Sequence, residues 1–135
     1  MTLNHDCVRA VLLYIEKNQV YQPVEVEGFE DLCHLQPISS IKICRDLSKQ
    51  FKEDDIRYAC VQACDGGYLD GSPLDSCTIL INDITFKGHE FIRVMKNDNV
   101  WSKVKDRAAK FGGLTLDALF TVASSVLSDM LAKGI

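Results

Sequence analysis

No apolar run in this 135-residue chain approaches the ~20 residues that a membrane-spanning helix needs. The least polar stretch, residues 118–128, is broken by Thr121, Ser124, Ser125 and Ser128, so no membrane association is expected. The first 15 residues hold His5, Asp6 and Arg9 and no long apolar segment, so no secretory leader is expected either. The six cysteines contain no Cys-x-x-Cys pair. They read as reduced thiols of a cytoplasmic protein, not as a disulfide framework. Also missing are a Gly-x-Ser-x-Gly elbow, a Gly-x-x-x-x-Gly-Lys phosphate loop and a Gly-x-Gly-x-x-Gly turn. Without these, the reading is of a non-enzymatic protein with no cofactor and no catalytic residue.

Two metal sites have to be weighed against this. Cys60 and Cys64 are four apart, and Cys33-His34 could complete a zinc site with them. Structural zinc usually uses tighter ligand spacing, and small apolar packing is the better account of these thiols. The segment Ile84–Phe91, Ile-Thr-Phe-Lys-Gly-His-Glu-Phe, contains the His-Glu pair that begins a zinc-protease helix. That chemistry needs a second histidine four residues on, and position 93 is arginine, which cannot ligate a metal. The segment reads better as a joint. Thr85 caps a helix, Gly88 permits a close backbone approach, and Phe91 and Ile92 anchor the helix in the core.

Charge is sparse in net but uneven in place. The total is −4, which gives the whole molecule no electrostatic footprint for nucleic acid. Residues 1–85 carry 7 Lys/Arg against 14 Asp/Glu, and residues 111–135 carry 1 against 2. Residues 86–110 carry 7 against 3, so any anionic partner is expected there unless those cations merely solvate a helix face.

What is present points to mixed α and β structure. Asn4 caps a helix over about 5–17, with Val8, Val11, Leu12 and Ile15 inward. Val24–Glu27 alternates strictly between Pro23 and Gly28, as a short strand does. The next stretch, Glu30–Pro37, is ambiguous between a helical turn and an insertion. Ser39 or Ser40 begins a second helix with Ile41, Ile43, Cys44 and Leu47, reaching about Lys49. Glu53, Asp54 and Asp55 open a third, which Gly66-Gly67 ends. Tyr68–Asp70 and Cys77–Asp83 read as strands joined by the loop Gly71–Ser76. Three further helices follow, over about 85–96 with Phe86, Phe91, Ile92 and Met95 inward, 100–111 and 115–133.

Helix, strand, helix, helix and hairpin is the order of a winged helix-turn-helix. The expected fold is therefore α+β, with a winged-helix domain over 1–96. Residues 97–135 form a helical extension, packed on that domain or mediating a homodimer through the 115–133 helix. In such a fold the third helix faces the DNA major groove and the wing meets the backbone. The nucleic-acid-binding candidates are Lys52, Arg57, Tyr58, Gln62, Ser72 and Lys87. The carboxylates at Glu53, Asp54 and Asp55, and the absence of Lys and Arg from the wing loop, oppose phosphate binding. Two expectations follow: a regulator that contacts duplex DNA, or an acidic module that binds a protein partner.

Two stretches, Lys52–Gly71 and Ile81–Leu119, resemble a family of small uncharacterised proteins encoded by bacterial phages and prophages. Tyr58, Gly67, Tyr68, Thr85, Gly88, His89, Glu90, Phe91, Trp101, Lys105 and Gly113 carry the resemblance, which covers about 2–20 and 52–125. It implies a winged-helix-like fold and an accessory role in the host bacterial cytoplasm, for example blocking a host regulator or defence protein. It carries over no catalytic residue. Asp65-Gly66 stands where relatives tend to have Glu-Ala, and about 28–38 has no clear match.

Overall fold

The computed structural model describes residues 2–26 and 29–133, and for 22–34 the backbone alone. Among the described residues it is an α+β structure of six helices and five strands. Helix α1 spans His5–Asn18 and starts where Asn4 accepts a hydrogen bond from the Cys7 amide. Its buried side is Cys7, Val8, Val11, Leu12 and Ile15. Strands β1 (Tyr21–Val26) and β2 (Phe29–Leu35) then pair antiparallel as a separate two-stranded ribbon. Pro23 on β1 and a register shift between Val24 and Val26 blunt the ribbon's edges against a third strand.

The alternating segment at 24–27 is thus a strand to Val26 with a different partner from the one expected, and Glu27 and Gly28 lie outside the described residues. The ambiguous stretch after it is that partner. The first strand of the three-stranded sheet is instead β3, the two residues Ile38–Ser39. The sheet order is β3–β5–β4, with β4 over Leu69–Pro73 and β5 over Ile79–Ile84, all antiparallel. Ile38 lies opposite Ile81, and both are buried.

Between β3 and β4 run α2 (Ser40–Leu47), capped by Ser39, and α3 (Glu53–Asp65). Gly67 at φ 82 turns the chain out of α3 into β4. After β5 come α4 (Phe86–Met95), α5 (Asp98–Ala108) and α6 (Leu116–Ala132). Thr85, Asn97 and Thr115 cap them through side-chain oxygens that accept first-turn amides. All six helices contribute to one continuous core. On one side of it Tyr68, Phe91 and the partly buried Phe120 meet edge-on or tilted, with ring centroids 5.1–5.9 Å apart.

Two apolar residues expected inside are not. Ile41 is 58% exposed and Phe86 is 82% exposed. Both stand in the first turn of a helix, where the core-facing side is set by later residues: Ile43 and Leu47 in α2, Phe91 and Met95 in α4. The apolar positions of α6 are spent on the chain's own core, with Leu116, Leu119, Ala123 and Val126 buried. Its open side carries Asp117, Thr121, Ser125, Ser128 and Asp129, and Leu131 is its one large exposed apolar residue.

Candidate interaction surface

The exposed end of α3 is acidic. Glu53 and Asp54 are open to solvent and Asp55 is half-buried in the first turn, where the unpaired amides of a helix favour negative charge. Arg57 does not project freely from this helix. Its guanidinium donates to Glu53 at 2.6 Å, one turn back. Lys52 precedes the helix as an exposed residue with no ion pair among the described residues.

Six side chains are candidates for nucleic acid, and the fold does not gather them. Arg57 lines a groove between α2 and α3. Tyr58 and Gln62 line a different one, against Thr2, Leu3 and the Gly113–Thr115 turn. Ser72 is exposed on β4, and the turn beyond it carries Asp75, whose side chain accepts from the Cys77 amide. Lys87 is occupied. It donates to the Gly66 carbonyl at 2.9 Å and to Asp117 at 3.0 Å, and lies 4.5 Å from the centroid of the Tyr68 ring.

Asp117 joins that arrangement from α6. Tyr68 Oη donates to its Oδ1 at 2.5 Å. This bond, with the contribution of Lys87, holds the Asp117 carboxyl below its ordinary value of 3.8. Burial and the same bond raise the Tyr68 hydroxyl above its usual range, so it stays a donor. These three residues are a clamp between α6, the start of α4 and the α3–β4 turn. A carboxyl whose folded value is depressed adds stability above its unfolded value and loses it as pH falls through the folded one. Asp117→Asn should therefore narrow the stability gap to wild type between pH 7 and pH 3. The expected difference is below about 1 kcal/mol because the side chain is exposed. Urea melts at both pH values measure it, and a gap that widens toward acid would contradict the assignment.

Four of the seven cations of the basic segment 86–110 are paired with carboxylates of other elements. Lys96 pairs with Glu16 at 2.9 Å, Lys105 with Asp6 at 3.2 Å and Arg107 with Asp129 at 3.2 Å. Arg93 pairs with Glu90 and Lys87 with Asp117. These pairs leave Lys103 and Lys110 as the segment's cations without an ion pair among the described residues. The excess seen in sequence is thus largely charge that ties α4 and α5 to α1 and α6, at separations local patterning does not reveal.

Three of the thiols, Cys7, Cys60 and Cys64, sit in or against the core. Burial pushes Cys7 and Cys60 up to about 12 and Cys64 up to about 11, so none of these is a thiolate at neutral pH. No group of three metal-ligating side chains converges among the described residues. The side chains of Cys33 and His34 lie outside those described. His89 is exposed beside a shallow groove formed with Ile15, Glu16, Gln19, Tyr21, Leu35 and Asp83, at the foot of the β1–β2 ribbon.

A family model described as "Hypothetical protein (DUF2513)" matches residues 2–115. The chain belongs to this family. The DUF2513 match ends at the residue that caps α6. The chain is also 35% identical over 65 residues to an uncharacterized protein of Haemophilus influenzae (strain ATCC 51907 / DSM 11121 / KW20 / Rd). That similarity covers 47% of this DUF2513 chain and 55% of the relative, so it spans about half of each. No solved structure matches the chain. No helix among the described residues is long and apolar enough to cross a membrane.

Proposed function

We propose that this chain is a non-enzymatic winged-helix module that works through protein contacts rather than by reading DNA with α3. The order α1–β3–α2–α3–β4–β5, with sheet order β3–β5–β4, supports the winged-helix reading. On that reading the β1–β2 ribbon is an insertion ahead of the first sheet strand. The observation that carries the choice of partner is the charge on α3. Its one arginine is bound to Glu53, its N-terminal turn presents Glu53 and Asp54, and it has no other Lys or Arg. A duplex meeting that face would lose phosphate contacts instead of gaining them. The wing turn, residues 74–78, adds a carboxylate and no cation.

The resemblance to phage and prophage proteins supports an accessory role for such a module in a bacterial host. The free cysteines Cys7, Cys44, Cys60, Cys64 and Cys77 fit the reducing cytoplasm of that cell. The target is then a protein, such as a host regulator or defence factor.

A salt titration with generic duplex DNA tests the proposal. At about 50 mM salt, where phosphate contacts are strongest, no retention is expected, and Lys52→Ala and Arg57→Ala should change nothing. Binding that falls steeply with salt and weakens in either variant would sink it in favour of a DNA-contacting regulator.

A further inference from the structure

We infer that the groove between α2 and α3 is a docking site for an acidic peptide segment that inserts one apolar side chain beside Ile41. The inference rests on the protein-contact reading and names the surface and the chemistry of the partner. The groove has a volume of about 270 Å³ and is lined by Ser40, Ile41, Cys44, Arg45, Ser48 and the Glu53–Arg57 pair. That is below the ~300–1,000 Å³ of sites that enclose a whole small molecule, and it suits one inserted side chain.

Ile41 is 58% exposed at the rim. Ser39 accepts from the Lys42 amide and so fixes the first turn of α2, where Ile41 stands. Ser40 and Ser48 are small and keep the groove open, while Cys44 supplies a half-buried apolar wall.

The positive charge beside the groove lies on its α2 side, away from the acidic first turn of α3. Lys42, Arg45 and Lys49 recur at helical spacing, and all three are exposed. Lys52 continues the series at the start of α3. Of these, Lys42, Lys49 and Lys52 have no ion pair among the described residues, while Arg45 is paired, as is Arg57 in α3. Asp46 accepts from the Tyr14 hydroxyl and approaches Arg45 at 3.6 Å, and Glu53 is held by Arg57. The Arg57 bond to Glu53 uses one Nη, so its other N–H groups remain donors toward the groove. Cations at the rim beside an exposed aliphatic call for carboxylates flanking an apolar anchor. A phosphodiester backbone satisfies the cations and leaves Ile41 in water.

The full-length chain, immobilised, is panned against a random dodecapeptide library displayed on filamentous phage. Enriched peptides should be rich in Asp and Glu around a recurrent aliphatic or aromatic residue. A synthetic copy of the leading peptide should bind about tenfold more weakly to Ile41→Ser, and again to Arg45→Glu. Replacing its anchor with alanine, at constant charge, should cost a similar factor. Circular dichroism melts confirm that both exposed substitutions leave the fold intact. No enrichment, enrichment of non-acidic peptides, or binding indifferent to Ile41→Ser would overturn the inference. None of those outcomes restores DNA binding, which the salt titration decides separately. Duplex DNA competing with the peptide for the same stripe would count against both.

Discussion

Gly88→Ala should be among the most damaging single substitutions in this protein, costing about 3 kcal/mol or more through overpacking. A Cβ at position 88 would fall on the carbonyl oxygen of Tyr68, with Ile84 Cγ2 at 2.8 Å and the Tyr68 carbonyl carbon at 3.0 Å. Neither backbone can yield cheaply. The Tyr68 carbonyl already accepts the Thr85 amide at 3.2 Å, and the Thr85 hydroxyl donates to Gly67 O at 2.5 Å. The Gly88 amide in turn donates to Thr85 Oγ1 at 3.1 Å. The first turn of α4 is thus bolted to the α3–β4 turn, and only a residue without a side chain fits between them. Gly67→Ala is the matched control. Gly67 sits at φ 82, and a Cβ there would meet nothing within 4 Å, so only backbone strain of about 1–2 kcal/mol applies. Calorimetric melts of both should separate them by several degrees, and equal melts would show that the close approach relaxes.

The Gly88 joint is also the part of the fold best legible in the sequence. Thr85 as a cap and Gly88 as a point of backbone approach both follow from local chemistry, and the structure has them as read. The same holds for the Asn4 cap, the glycine turn after α3 and the inward stripes of α1 and α5. Local periodicity carries no information on which strand pairs with which. The alternating segment before Gly28 is recognisable as a strand, yet its partner is Phe29–Leu35 and the sheet begins at Ile38–Ser39. The candidate surface is less legible still. Arg57 and Lys87 look free in sequence because their partners are a helical turn and thirty residues away. Ile41 looks like core because spacing alone cannot tell the first turn of an inward stripe from a residue that overshoots it.

Tyr68→Ala should rank with Gly88→Ala, losing about 3–5 kcal/mol, as expected when a buried aromatic is cut back and its cavity persists. Tyr68 is fully buried, packed edge-on to Phe91 at 5.5 Å and tilted against Phe120 at 5.9 Å. Its ring therefore joins α4 to α6, while its hydroxyl reaches Asp117. Tyr68→Phe separates the two roles. It keeps the ring and forfeits one hydrogen bond to a charged acceptor, for a cost of about 1.5–3 kcal/mol before solvent reclaims the exposed carboxylate. The expected order is wild type, Tyr68→Phe and then Tyr68→Ala, with the larger step at the second change. Amide hydrogen exchange locates the damage. In Tyr68→Ala, α6 should lose protection ahead of α1, whose buried stripe packs against α3 and α4 away from the clamp. If Tyr68→Phe cost as much as Tyr68→Ala, the clamp at Asp117 would hold α6, and the aromatic cluster would be filling space.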